Sequence, residues 1–248
     1  FATGVLIVAV GSGTKLIPYL DELSKTYVAE LTLGKKTNTG DNTGEIIEEK
    51  EIPNLDKDKI KEVFSSFIGK QNQLPPMTSA ISINGVKLYK LAHKGQTVER
   101  IPREIEVFNL NLASFNENTI LFTTHVSKGT YIRTLGEDIA ERLGTVGHLT
   151  GLRRTEIADY KINKAIKVND VTEQSVISLT EMISQFMNTV YVNPTYSAKI
   201  KNGVSLPAHV IGNISTNDVF LADLNTKEPL AIYTKDGDMY KCKKGLWK

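Results

Sequence analysis

Tyr27-Val-Ala-Glu-Leu-Thr-Leu33 is the stretch on which the fold class turns. Tyr27, Ala29, Leu31 and Leu33 recur at every second position, with Glu30 and Thr32 between them. Successive side chains of a strand point to opposite faces, so residues 27–33 are predicted to form a half-buried strand. Residues 105–112 and 119–126 are predicted as further strands, joined by a polar turn around Asn116-Glu-Asn118. Over 56–69 the period changes: Ile60, Val63, Phe64, Phe67 and Ile68 fall at helical spacing, closed by Gly69. A second helix is predicted over 135–143, stopped by Gly144, and Ser178-Leu-Thr-Glu181 is a capping-box signature opening another through Phe186. Residues 5–10 form a continuous apolar run, as expected of a strand buried on both faces.

After Thr189 the texture changes to short segments punctuated by Asn202-Gly203, Gly212-Asn213 and Asp236-Gly237, which suggest a small all-β module. A domain boundary is therefore expected near residue 190. Strands and helices mixed without βαβ regularity predict an α+β domain over 1–189, followed by the β module over 190–248.

The 248 residues are enough to bury a sizeable core; 40% are apolar and 23% charged, as in ordinary globular proteins. No apolar run is long enough to cross a bilayer as a helix, and no basic segment precedes the run at 5–10 as a signal peptide requires. One cysteine, Cys242, excludes an internal disulfide and a cysteine-rich zinc site, and the four histidines lack the usual ligand spacings. These observations predict a metal-free, cytoplasmic protein. The net charge of +2 is too small to imply nucleic acid by itself, so such a role needs local clustering. Within 75–103, Lys87, Lys90, Lys94, Arg100 and Arg103 face only Glu99, and the chain ends Lys241-Cys-Lys243-Lys244 with Lys248 last. Solvated surface lysines remain the plain alternative at each cluster.

Gly11-Ser-Gly13-Thr-Lys15 follows the apolar run and invites a nucleotide-binding reading. The dinucleotide fingerprint needs a third glycine where Leu16 stands, and a P-loop needs Ser or Thr after the lysine. The glycines are read as permitting a turn.

Several segments occur in one order: Phe1-Ala-Thr-Gly4, Gly11 to Lys15, Lys25-Thr-Tyr27-Val-Ala-Glu-Leu, and Leu33-Gly34 with Thr37-Asn-Thr39-Gly-Asp41. They continue as Leu74-Pro75-Pro76-Met77-Thr-Ser79-Ala80, Asn84-Gly85-Val-Lys87-Leu88-Tyr89, Ser127-Lys-Gly-Thr-Tyr131-Ile-Arg133-Thr134 and His148-Leu-Thr-Gly-Leu152-Arg153-Arg154-Thr155. In this order they resemble the TruB family of tRNA pseudouridine-55 synthases over roughly the first 160 residues. Lys199-Ile-Lys-Asn-Gly203 similarly resembles the start of the PUA domain that follows many RNA-modifying enzymes.

The resemblance implies a mixed, largely antiparallel sheet with flanking helices and a small PUA-like RNA-binding domain. The implied reaction is isomerisation of uridine in the tRNA T-loop, without cofactor, metal or guide RNA, by a monomer. In the family signature Leu-Asp-Pro and a hydrophobic residue precede Ala-Thr-Gly, so the nucleophilic aspartate is expected two positions before Phe1. Residues 1–248 alone are then expected to be inactive. Tyr27 matches the tyrosine that stacks on the flipped uracil, and Arg133 the arginine that pairs with the catalytic aspartate. Asp41 matches an acid of the same charge network, and it is equally a turn aspartate, both readings being compatible. Tyr131 and Leu152 are expected to line the uracil pocket, and Lys15 to lie near it, although a turn lysine is the plainer account. Lys87, Lys90 and Lys94, in an inserted thumb over 75–103, are expected to contact RNA, as are Arg153 and Arg154. The insertion separates the stand-alone enzymes from guide-dependent relatives. A non-catalytic T-arm binding protein or RNA-folding chaperone remains the alternative from another class.

Overall fold

The structure, a computed structural model, describes residues 1–212 and 214–247. It forms two compact units, one from Phe1–Leu6 with Glu22–Ala165, the other from Ile7–Asp21 with Ile166 onward. The division thus falls ahead of the boundary expected near 190. Residues 7–21 and the capping-box helix both pack with the later unit: Leu179 lies against Gly13, and the Thr180 hydroxyl donates to the Lys227 carbonyl at 2.7 Å.

In chain order β1 (Thr3–Gly4) is followed by α1 (Ile17–Asp21), β2 (Lys25–Leu33), β3 (Lys35–Thr37), β4 (Ile46–Glu49), α2 (Lys57–Ser65) and β5 (Gly69–Gln73). Next come β6 (Ser82–Ile83), β7 (Val86–Lys87), α3 (Leu88–Ala92), β8 (Arg103–Asn116), β9 (Thr119–Val126), α4 (Ile132–Arg142), β10 (Gly147–Ile157) and β11 (Tyr160–Lys161). The principal sheet has the order β1-β10-β2-β9-β8-β5, with β11 beside β10. Its pairings are antiparallel except β1 with β10. This is the mixed, largely antiparallel sheet with flanking helices that the resemblance implies.

The alternation in β2 does what its period requires: Ala29, Leu31 and Leu33 are buried and Tyr27 packs at the edge of the same apolar cluster. Opposite Ala29 stands Phe122 of β9, fully buried, and α2 and α4 cover this face through Ile60, Phe64, Leu135 and Ile139. Each large apolar side chain so buried stabilises the unit by roughly 1.5–3 kcal/mol. Gly136 lets α4 approach closely, since a Cβ there would meet Leu149 Cδ2 at 2.8 Å. At the start of α2 the Asp56 carboxylate accepts from the Lys59 amide at 2.8 Å, a side-chain cap. That helix stops at Ser65, short of the expected 69; Gly69, at φ +101°, opens β5 instead, and Ile68 is left exposed.

Residues 5–10 do not form the doubly buried strand predicted from their apolar run. The Val5 amide donates to the Arg154 carbonyl at 2.8 Å, and the chain then leaves the sheet. Leu6, Val8 and Val10 are 72%, 73% and 63% exposed. Apolar content alone does not supply the neighbouring strand that a buried one needs.

The second unit holds α5 (Leu179–Ser184), β12 (Thr189–Val192), α6 (Pro194–Lys201), β13 (Leu206–Pro207), α7 (Ala208–Ile211), β14 (Asp218–Asp223), β15 (Pro229–Asp236) and β16 (Met239–Gly245). Its five-stranded sheet runs β12-β14-β15-β16-β13 over a core including Val219, Leu221, Tyr233 and Tyr240. Ser178 caps α5, its hydroxyl accepting from the Glu181 amide at 3.2 Å, and the helix ends two residues before Phe186. Asp236-Gly237 does turn a hairpin, from β15 into β16. Asn202-Gly203 does not: it ends α6, with Gly203 at φ +70°. Asn213 and Lys248 lie outside the described residues. No helix among the described residues is long and apolar enough to cross a membrane.

Candidate functional site

Asp41 sits in the loop between β3 and β4, which is pinned to β10: the Leu149 amide donates to the Gly40 carbonyl, and the Asn42 amide to the Leu149 carbonyl, both at 3.0 Å. Gly40, at φ +73°, lets this loop lie close to α4: a Cβ there would meet the Arg133 Cβ at 3.3 Å. Asp41 Oδ1 accepts from the Thr39 hydroxyl at 2.9 Å, the Thr43 amide at 3.0 Å and the Thr43 hydroxyl. Its other oxygen, Oδ2, accepts from Arg133 Nη1 at 3.0 Å. One carboxylate thus closes the turn through Oδ1 and pairs with Arg133 through Oδ2.

Burial by itself raises the Asp41 pKa. The Thr43 hydroxyl and amide, the Thr39 hydroxyl and the Arg133 charge outweigh it together and hold the carboxyl below its ordinary range. The pair therefore stays ionised at neutral pH.

Arg133 is on the first turn of α4, its side chain only 21% exposed. Nη1 also donates to the Thr39 carbonyl at 2.9 Å, and Nη2 to the Thr78 carbonyl at 3.0 Å. Three of the five guanidinium N–H groups are so committed. Among the described residues Nε–H and the second Nη2 hydrogen have no acceptor, and guanidinium N–H groups suit a carboxylate.

Tyr27 and Leu152 stand on the face that α4 covers. Tyr27 is opposite Thr124 of β9 and Arg154 of β10, and Leu152 is opposite Ala29. Both border the apolar cluster that includes Ile132 and Leu135, the neighbours of Arg133 on α4. Tyr131 immediately precedes the helix as its N-cap residue. The structure thus brings Arg133 and Asp41 into contact and sets Tyr27 and Leu152 against one apolar cluster, with Tyr131 at the N-cap of α4.

The remaining predicted residues are placed differently. Lys87, Lys90 and Lys94 are exposed around the β6–β7 hairpin, whose turn is Asn84-Gly85, and α3. Arg100 is turned inward, its Nη1 donating to the Pro75 carbonyl at 2.9 Å. Arg153 is exposed, whereas Arg154 Nε holds the Val5 carbonyl at 2.7 Å. Lys15 belongs to the second unit and donates to the Trp247 carbonyl at 2.8 Å. A groove of about 550 Å³ lined by Thr26, Asn111, His125 and Glu156 does not include the ion pair. Sequence reasoning missed Thr39, Thr43, Gln73 and Thr78. The spacing Thr39-Gly-Asp41-Asn-Thr43 is a readable Asx-turn signal; Thr78 contributes only its backbone carbonyl and has none.

Beyond Arg133 on α4, burial pushes Asp138 up to about 6, reinforced by Glu141 and opposed by Arg142 and Lys36. A folded-state value above the unfolded one means that the folded protein binds more protons between about pH 4 and 6, so stability falls as pH rises through that window. Asp138→Asn is expected to raise denaturant-measured stability by about 1 kcal/mol at pH 7, after discounting for solvent screening. The gain should vanish below about pH 4. An equal gain at every pH would assign the effect to packing.

The fold has solved counterparts. "Crystal Structure of a Cbf5-Nop10-Gar1 Complex" matches with TM-score 0.73 and 21% identity, over 99% of this chain and 73% of that one. "Structure of H/ACA RNP bound to a substrate RNA containing 2'-deoxyuridine" matches with TM-score 0.72 and 19% identity, over 100% of this chain and 73% of the other. At those identities the shared property is the fold.

Sequence models carry the assignment further. TruB family pseudouridylate synthase (N terminal domain) matches residues 1–132, and tRNA pseudouridylate synthase B C-terminal domain matches residues 133–190. The chain belongs to the TruB family of pseudouridylate synthases. A tRNA pseudouridine synthase B of Geobacter sulfurreducens is 50% identical over 173 residues, covering 70% of this chain and 57% of the relative. One of Listeria welshimeri is 36% identical over 265 aligned positions, covering 99% of this chain and 83% of the relative. The chain thus spans little more than half the length of the Geobacter relative.

Proposed function

We propose that this protein isomerises uridine-55 in the T-loop of tRNA to pseudouridine, in the cytoplasm, as a monomer without guide RNA, cofactor or metal. The observation that carries the reading is the buried Arg133–Asp41 pair, on the residues that match the family motif, with two guanidinium N–H groups left for a second carboxylate.

The reaction breaks the N1–C1′ bond, turns the uracil, joins C5 to C1′ and moves the C5 proton off the ring. A base in a stacked loop is out of reach, so it must be flipped into a pocket. A carboxylate either attacks or acts as a base there, and Arg133 would orient it and keep it ionised. The resemblance places that aspartate two positions ahead of Phe1. Tyr27 would stack on the uracil and offer its hydroxyl near C5, with Tyr131 and Leu152 completing the pocket. Asp41 would act through Arg133, fixing its fork.

In this reading the thumb over 75–103 clamps the stem-loop through exposed Lys87, Lys90 and Lys94. Arg153 adds a phosphate contact, whereas Arg154 is tied to the Val5 carbonyl and holds the first strand in place. The PUA-like module over 190–248 adds RNA contacts of its own. T-loop recognition rests on shape and backbone, with the extruded base read individually.

The test is release of tritium from C5-labelled uridine in a T-arm transcript. Release is expected from a chain in which Leu-Asp-Pro precedes Phe1, and its loss when that Asp is replaced by Asn. Tight T-arm binding without release by the longer protein would instead establish the binding-protein reading.

A further inference from the structure

Gln73 ends β5 just before the thumb, and is only 4% exposed. Its side-chain amide engages the backbone of Tyr131 at both ends. Oε1 accepts from the Tyr131 amide at 2.8 Å, and Nε2 donates to the Tyr131 carbonyl at 3.1 Å. Tyr131 is the N-cap residue of α4, and its side chain makes no cap hydrogen bond. The first-turn backbone of a helix needs partners outside the helix, and the N-cap residue sets the direction in which the helix leaves. Here a side chain from another strand fixes that residue from both sides.

Two further bonds tie the same segment down: Arg133 Nη2 to the Thr78 carbonyl, and Arg100 Nη1 to the Pro75 carbonyl. The segment from Gln73 to Thr78 therefore touches α4 once at its cap and once at the Arg133 guanidinium.

We infer that Gln73 is a positioning residue: it latches the α4 N-terminus so that the Arg133 fork meets Asp41 and the reacting carboxylate in register. It touches no substrate, and its consequence for turnover rests on the reading of Arg133 given above. A displacement of about 1 Å at a reacting group is enough to lower turnover about 100-fold.

Gln73→Leu removes both bonds at similar size. Gln73→Glu keeps the acceptor for the Tyr131 amide but sets a carboxylate oxygen against the Tyr131 carbonyl. In the folded Gln73→Leu protein the Tyr131 amide should exchange at least about tenfold faster, the equivalent of one lost hydrogen bond. The Asp41 titration, followed by carboxyl carbon NMR, should move up towards the ordinary range. In the full-length enzyme, kcat should fall about 10–100-fold with KM within about threefold. Gln73→Glu should lie between the two in exchange rate and turnover, and it decides the matter if the leucine variant does not fold.

A merely structural glutamine would lower the melting temperature and leave the Asp41 titration and the kcat of folded enzyme unchanged. That result, or a failure of both variants to fold, overturns the inference. If the unsubstituted enzyme releases no tritium, the functional reading fails instead, and exchange with titration still decides the latch.

Discussion

Arg133→Ala should lower kcat for tritium release by at least about two orders of magnitude, comparable to losing one preorganised electrostatic contact. The argument starts from the committed geometry. Nη1 spans Asp41 Oδ2 and the Thr39 carbonyl, and Nη2 reaches the Thr78 carbonyl, so the side chain has one orientation before any substrate arrives. Catalysis gains from donors fixed in advance because they need no reorganisation as charge develops. Alanine removes all of this while leaving Asp41 with its bonds from Thr39 and Thr43, which keep that carboxylate satisfied. The fold should therefore survive, and circular dichroism with a thermal melt should separate lost turnover from lost structure. Arg133→Lys is the sharper control. An ammonium carries its donors on one atom and cannot span three acceptors and a second carboxylate together, so most of the loss should persist although the charge is kept. A loss under about tenfold in Arg133→Ala, measured at single turnover with saturating RNA, would exclude Arg133 from the chemistry.

What was legible in the sequence was periodicity, because period is a property of neighbours along the chain. The β2 alternation and the β8–β9 hairpin with its Glu117-Asn118 turn appear where the sequence places them, whereas α4 starts at Ile132, three residues ahead of the expected 135. Partnership was not legible. The apolar run at 5–10 has strand composition, but no strand among the described residues pairs with it beyond Val5. Asn202-Gly203 looked like a hairpin turn, and the same left-handed conformation served to end α6. The site was half legible for the same reason. Arg133 and Asp41 are far apart in sequence, and only the family resemblance joined them; nothing in the residues between announces a 3.0 Å ion pair. Gln73 and the Thr78 carbonyl were invisible, since one is an ordinary polar residue and the other a backbone group that every position carries. Composition changes near 190, whereas the packing of the chain already changes at Ile166, because packing depends on partners that composition does not name.

Phe122→Ala should destabilise the first unit by about 3–5 kcal/mol, in the range of large-to-small changes at fully buried aromatic positions. Phe122 is 0% exposed in the middle of β9, opposite Ala29 on β2 and Leu112 on β8. Its ring meets Phe64 of α2 edge to face, with centroids 5.8 Å apart and planes at 73°. Removing it costs the transfer energy of the ring, the aromatic contact and the cavity left behind. The small neighbour Ala29 cannot fill that space, and the sheet backbone is fixed by pairing on both sides. A loss of this size is a large part of the 5–15 kcal/mol typical of a whole domain. The consequence reaches the site, because Phe122 lies in the cluster that Tyr27 and Leu152 border and that seats Ile132 and Leu135 of α4. Phe122→Leu keeps most of the volume and should lose about half as much, in keeping with a cost that grows with the cavity left behind. Urea titration of both variants checks the order. If alanine costs no more than leucine, the sheet has collapsed onto the gap, and pairing on both sides of β9 does not hold its backbone in place.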